Sequence, residues 1–139
     1  MNFLTYIERR HTLNLTISID DISDVDTIEK RKIMTKPLTQ PMYYILLSLR
    51  EERHGYEIMQ YVEWLTDGRV TIGPGTLYSL LSRFEENKYI QMVSKKENKK
   101  IYLITGLGHE ILNREIKRLE NLLNDARKDG ENDEFQNRI

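Results

Sequence analysis

The chain has 139 residues, of which 39% are hydrophobic and 31% charged, with a formal net charge of −1. That length and balance fit one globular domain with an appendage and exclude wholesale disorder. The absence of cysteine excludes disulfides, thiolate nucleophiles and zinc–thiolate sites.

Residues 1–37 read as an N-terminal extension. Its start, "MNFLTYIERRH", lacks the apolar run of a secretory signal, and no apolar stretch is long enough to span a bilayer. A cytoplasmic location is the expectation. "TLNLTISID" alternates Leu13, Leu15, Ile17 and Ile19 with polar residues, a period-two strand pattern. "DISDVDTIEKRKIM" reads as weakly helical. Met34 is a second candidate start, so the expectation is an accessory strand or arm rather than a separate function.

A compact unit is expected from Leu38. "TQPMYYILLSLREERHG" predicts a first helix, with Thr39 at its N-cap, Pro41 in its first turn and Ile45, Leu46 and Leu49 as its buried stripe. Gly55 marks a break. "YEIMQYVEWLTDG" predicts a second helix with Ile58, Met59, Val62 and Leu65 on one side, and "RVTIG" a short β-like link. "GPGTLYSLLSRFEE" predicts a third helix, opened by Gly73 and Pro74, with Leu77, Leu80, Leu81 and Phe84 at the spacing of a core stripe.

The outer side of that third helix is unusual. It offers Thr76, Ser79, Ser82 and Arg83, short or hydrogen-bonding groups with a single charge. Gly75 carries no side chain, so a phosphate backbone can approach the helix N-terminus closely. "YIQMVSKKENKKIYLIT" then predicts two strands joined by a "KENK" turn. Lys88, Lys95, Lys96, Lys99 and Lys100 face one acid, Glu97, a local balance of 5 − 1 = +4. A ribbon tip carrying lysines suits a phosphate backbone or a minor groove. From Thr105 a long helix is expected to about Lys128.

Three helices, a basic hairpin and a long helix predict a mainly α protein with a small β-wing: a winged helix-turn-helix domain followed by a dimerisation helix. The expected division is residues 1–37 as extension, 38–105 as DNA-binding domain, 106–128 as dimerisation helix and 129–139 as an acidic tail. In the last helix Leu112, Ile116, Leu119, Leu123 and Ala126 follow a 4-3-4-3 spacing. Leu107, Ile111 and Leu122 widen the stripe beyond what one small domain covers. A two-fold partner covers it and sets two recognition helices one DNA turn apart, roughly 34 Å.

Three further pieces carry a family resemblance: "LLSLREERHGYEI", "GPGTLYSLLSRFEE" and "KKIYLITGLG". Over about residues 38–127 the chain resembles the PadR-like family of bacterial transcriptional regulators, and Tyr102, Thr105 and Gly108 match that family's Tyr…Thr-x-x-Gly. The resemblance implies a dimeric winged-helix repressor on a pseudo-palindromic operator. It implies phosphate contacts by Tyr56 and Tyr78, base or phosphate contacts by Thr76 and Ser79, and backbone contacts by the wing lysines. It also implies release by phenolic or bulky apolar compounds, for which Met59, Tyr61, Trp64 and Tyr89 are candidate lining residues. The wing departs from the arginine-rich form of relatives, and lysine lacks the bidentate fork of arginine.

Catalysis is not expected. His11, His54 and His109 lack metal-ligand spacing, and no phosphate loop or nucleophile motif stands out. No cofactor and no metal is expected. The competing reading of the same features is a winged-helix module that binds protein, with its lysines simply solvated.

Overall fold

The computed structural model describes residues 36–130 and 135–138. The strand and helix expected within residues 1–35 lie outside the described residues. Leu38–Ile139 is a compact unit by its internal contacts. Its elements are α1 (Gln40–Ser48), β1 (Arg53–His54), α2 (Gly55–Leu65), α3 (Pro74–Glu86), β2 (Ile90–Lys96), β3 (Lys99–Ile104) and α4 (Gly106–Gly130), with a short 3-10 turn at Gln136–Arg138. The sheet is antiparallel, in the order β1-β3-β2.

Helices α1, α2 and α3 pack around one apolar core. Ile45, Leu46 and Leu49 from the α1 segment, Ile58 and Val62 from α2, and Leu77, Leu81 and Phe84 from α3 are buried there. Burying a side chain of this size is worth roughly 1.5–3 kcal/mol. Leu65, expected in the α2 stripe, is instead exposed at the helix end, and the buried place is taken by Thr66.

α1 ends at Ser48, several residues before its predicted stop, because its last carbonyls are claimed from outside the helix. The Leu49 carbonyl accepts the Ile104 N–H at 2.8 Å. The Ser48 carbonyl accepts from the Arg53 guanidinium. The chain then pairs with β3, Arg53 opposite Tyr102 and His54 opposite Ile101. Thus the third strand is Arg53–His54, and "RVTIG" is not a strand. Val70 and Ile72 are buried from an extended link, which the Thr66 hydroxyl pins. That hydroxyl accepts the Val70 N–H at 3.1 Å and donates to the Val62 carbonyl at 2.8 Å. Nor is Gly55 a break; it opens α2 and is buried.

α3 stops in a Schellman arrangement. Lys88 takes a left-handed φ of 62°, the Tyr89 N–H donates to the Phe84 carbonyl at 2.9 Å and the Lys88 N–H to the Glu85 carbonyl at 3.0 Å. The two aromatic rings of that cap, Phe84 and Tyr89, meet edge to face at 6.1 Å. Lys88 therefore belongs to this cap, and the wing cluster holds four lysines.

α4 begins where the wing ends. Thr105 caps it, its hydroxyl accepting the Gly108 N–H at 3.1 Å and donating to the Lys88 carbonyl at 2.6 Å. Gly108 lies so close to the Tyr89 carbonyl that a Cβ would collide with that oxygen, and it would sit 2.6 Å from Ile104 Cγ1. Further along, Glu115 is buried and ties α4 to the start of α1. It accepts the Leu38 N–H at 3.3 Å and two bonds from Arg118, at 3.0 and 2.6 Å. The hydrogen bonds from Arg118, with lesser help from Leu38, hold its carboxyl below the ordinary carboxylate range against the opposing effect of burial.

Two outcomes follow from these contacts. Gly108→Ala lowers stability by about 2 kcal/mol in urea denaturation, whereas Gly106→Ala, whose Cβ meets nothing within 4 Å, leaves it nearly unchanged. Because the folded value of Glu115 lies below the unfolded one, its contribution is complete above the unfolded value and fades as pH falls through the folded value. Glu115→Gln is therefore less stable than the parent at neutral pH, by about 1 kcal/mol. The gap closes below about pH 4 in parallel urea midpoints.

Candidate nucleic-acid interface

Three elements converge on one side of the unit: the start of α2, the outer side of α3, and the wing of β2 and β3. Each is positioned by a local device. At the start of α2, His54 and Glu57 form a reciprocal capping box. The His54 N–H donates to Glu57 Oε2 at 2.9 Å, and the Glu57 N–H donates to His54 Nδ1 at 3.5 Å. Gly73 and Pro74 open α3 without any side-chain cap. Its first-turn donors therefore stay available.

Gly75, Thr76, Tyr78, Ser79, Ser82 and Arg83 are all exposed on α3, while Leu77, Leu81 and Phe84 are buried behind them. A Cβ at Gly75 would meet nothing within 4 Å, so the approach to this end is open. Tyr78 leans back across α2: a Cβ on Gly55 would lie 2.8 Å from its hydroxyl oxygen. Only glycine at 55 permits that closeness. Tyr56, next in sequence, is 59% exposed. Arg83 sits near the C-terminal end of α3, where its charge opposes the burial that raises the Tyr89 hydroxyl pKa.

The wing is a tight ribbon. Glu97 and Asn98 both take left-handed φ values, 51° and 63°, the two-residue turn that matches strand twist. A register shift between Met92 and Ser94 leaves Val93 without a partner, a bulge that bends the exposed edge. The register sets Lys95 opposite Lys100 and Lys96 opposite Lys99. Like charges directly across a ladder are destabilising, so the tip carries four exposed ammonium groups at a cost to its own stability.

A groove of about 380 Å³ joins these parts. α2 and its cap contribute His54, Gly55 and Tyr56, and α3 contributes Tyr78, Leu81 and Ser82. The wing contributes Asn98, Lys99, Lys100 and Tyr102. Five of the expected residues, Tyr56, Tyr78, Ser82, Lys99 and Lys100, are thus brought together. Gly75, Thr76, Ser79, Arg83, Lys95 and Lys96 lie outside the groove. His54, Asn98 and Tyr102 were not expected in it. Their place depends on how the wing turn approaches the α2 cap, which no local pattern encodes.

Two expectations need correction. Leu112 is fully buried within its own domain, because the first turns of α4 pack on α1, so it offers nothing to a partner. Ile116 is half-buried, and the apolar surface that remains lies further on, at Leu119, Leu122 and Leu123, with Ala126 also exposed. The four candidate effector residues do not share one environment. Tyr61 and Trp64 form a tilted ring pair at 5.7 Å, with Trp64 71% exposed and the Arg53 guanidinium 4.1 Å from the Tyr61 ring centre. Met59 is half-buried. Tyr89 is a core residue whose hydroxyl has no hydrogen-bond partner among the described residues.

Among the described residues no cluster of His, Asp or Glu could hold a metal ion, and no helix is long and apolar enough to cross a membrane.

The sequence profile of the PadR-like transcriptional regulators matches residues 45–114. The "Transcriptional regulator YqjI" of Escherichia coli is 31% identical over 71 residues, 51% of this chain and 34% of that protein. The chain therefore spans about a third of that relative's length. "Uncharacterized protein X" of Lysinibacillus sphaericus is 35% identical over 75 residues and is covered over 69% of its length. Among solved structures, a transcriptional regulator from Clostridium thermocellum superposes with a TM-score of 0.55 at 29% identity, over 63% of this chain and 89% of that one. A PadR-like transcription factor from Bacteroides fragilis shares the fold with a TM-score of 0.54 at 24% identity, over 76% of this chain and 98% of that one. With the profile matched over half the chain's length and a winged-helix unit built around it, the chain belongs to the PadR-like family of transcriptional regulators.

Proposed function

We infer that the protein is a dimeric repressor that reads a pseudo-palindromic operator with α3 and grips the flanking backbone with its wing. The observation that carries this reading is the shared groove. It brings hydroxyl groups of α2 and α3 and ammonium groups of the wing to one concave surface, with no carboxylate among its lining residues. In this reading Thr76, Ser79, Ser82 and Arg83 face base edges or phosphates in the major groove. Gly75 lets the backbone come close. Lys95, Lys96, Lys99 and Lys100 follow the phosphates. The cross-strand repulsion within the wing is relieved when an anionic backbone neutralises it.

Residues 38–105 then form the reading unit, and the second half of α4 pairs two copies through Leu119, Leu122 and Leu123, whose exposure supports that role. The Tyr61–Trp64 ring pair is the surface on which a small hydrophobic or phenolic effector acts to release DNA. A winged-helix module binding protein alone has no specific observation in its favour, and the paired lysines argue against it.

The wing is tested by a salt series of gel shifts on the promoter fragment upstream of the protein's own gene. Replacing Lys95, Lys96, Lys99 and Lys100 with Gln reduces the slope of log affinity against log salt by about 3–4, whereas Ser79→Ala changes preference among sequences at constant slope. An unaltered slope in the lysine variant removes the wing from the mechanism. The dimer is tested by sedimentation. The pair Leu119→Glu and Leu123→Glu yields a folded monomer, because both positions are exposed, and operator affinity falls by about 100-fold or more. A dimer that survives the pair contradicts the role of α4.

A further inference from the structure

We propose that the groove between the α2 cap and the wing turn is a single phosphate subsite, completed by His54, Asn98 and Tyr102, that holds one sugar-phosphate unit of the bound duplex. The proposal rests on the DNA-reading function and adds to it a specific place where wing and helices grip the same group. At about 380 Å³ the groove has the volume of on the order of ten waters, room for a phosphate with its sugar. Its lining is chemically one-sided. Tyr56, Tyr78 and Tyr102 carry phenolic hydroxyls, Ser82 an aliphatic one, Asn98 an amide, and Lys99 and Lys100 ammonium groups. No aspartate or glutamate lines it. A concave surface of donors without a competing carboxylate is suited to an anion.

Two acids, Glu57 and Glu85, act on lining residues without lining the groove themselves. Glu57 is engaged in the capping box with His54. His54 Nδ1 accepts the Glu57 N–H and Nε2 lies 3.6 Å from Glu57 Oε1, so a phosphate at His54 would share that nitrogen with the Glu57 carboxylate. Glu85 acts on the Tyr102 hydroxyl through its charge. Burial first, then Glu85 and Tyr78, raise the Tyr102 pKa, which keeps it a protonated donor. Asn98 reaches the groove only because the turn accepts a left-handed residue there. One phosphate bound in this place would bond the α2 cap and the wing turn together, setting the angle between ribbon and recognition helix at the moment of binding.

Three substitutions remove one donor each and keep the local structure. His54→Asn retains a capping side chain, Asn98→Gly suits the left-handed turn, and Tyr102→Phe keeps the ring in the core. Affinity of the full chain for the promoter duplex is measured by fluorescence anisotropy over a salt series, alongside urea midpoints. Each variant is expected to bind about threefold to tenfold more weakly at an unchanged salt slope, since no cation is removed. A scan of the duplex with single neutral methylphosphonates locates the partner. At one phosphate position the penalties of all three variants vanish. Wild-type binding by all three variants, or penalties that persist at every methylphosphonate position, overturns the proposal. A second arm titrates the free protein with inorganic phosphate, against chloride at matched ionic strength, and follows the Gly55 and Asn98 amides by NMR. A phosphate-specific shift shows a preformed subsite that also takes free phosphate; no shift with weakened duplex binding assigns the subsite to the duplex alone. If the wild type binds no duplex, the DNA reading fails, and the subsite stands or falls on the phosphate titration.

Discussion

The molecule depends on one crowded junction, where the Tyr89 carbonyl meets Thr105 and Gly108. That carbonyl accepts the Thr105 N–H at 2.9 Å and lies against the Cα of Gly108. The Thr105 hydroxyl bonds the Lys88 carbonyl on one side and caps α4 on the other. Through these few atoms the end of α3, both roots of the wing and the start of α4 are fixed relative to one another. Glycine at 108 is required by space rather than by backbone freedom. The junction gives physical meaning to the Thr-x-x-Gly spacing: the threonine's N–H and hydroxyl make three bonds, and the glycine clears room for the carbonyl that accepts one of them.

Much of the architecture is legible in the residues because local and global preferences agree. The i, i+3, i+4, i+7 apolar spacing of α3 from Leu77 to Phe84 coincides with its buried side, apart from the half-buried Leu80. The "KENK" turn is a two-residue connection with two left-handed positions. Both features are decided within a few residues of themselves. β1 is different. Two residues have no periodicity to detect, and Arg53 and His54 form a strand only because β3 is there to pair with. The extended link at Val70 and Ile72 has the alternation of a strand without a neighbour. The groove is least legible of all, since His54, Asn98 and Tyr102 come together across 48 positions of sequence, from residue 54 to residue 102.

α4 shows how a regular pattern conceals a division of labour. The heptad-like seam runs unbroken from Leu112 to Ala126, yet its residues serve two purposes. Gly108, Ile111, Leu112 and Glu115 are buried against their own domain, with Glu115 holding the N-terminal end of α1. Beyond Ile116 the same spacing continues into solvent, at Leu119, Leu122 and Leu123. Periodicity reports which side of a helix is apolar; it does not report what covers that side. Thr105 and Gly108 root α4 directly against the end of α3, while its far end stays exposed.

Net charge is a poor guide for this protein, and the reason is geometric. A chain with a formal charge of −1 would be unremarkable among proteins that never meet nucleic acid. Its charge is sorted, however. The four wing lysines stand in two facing pairs, an arrangement that weakens the free ribbon. The long-range field of the whole chain falls off within about 8–10 Å at physiological salt. At contact distance a phosphate therefore senses the ribbon and the groove beneath it, not the acids elsewhere on the chain. The same screening makes the repulsion between facing lysines the dominant electrostatic feature of the free wing. Binding an anionic backbone removes that penalty while adding attraction. Under the proposed function, contact between the wing and a phosphate backbone depends steeply on salt, and preference among sequences falls to the exposed side chains of α3.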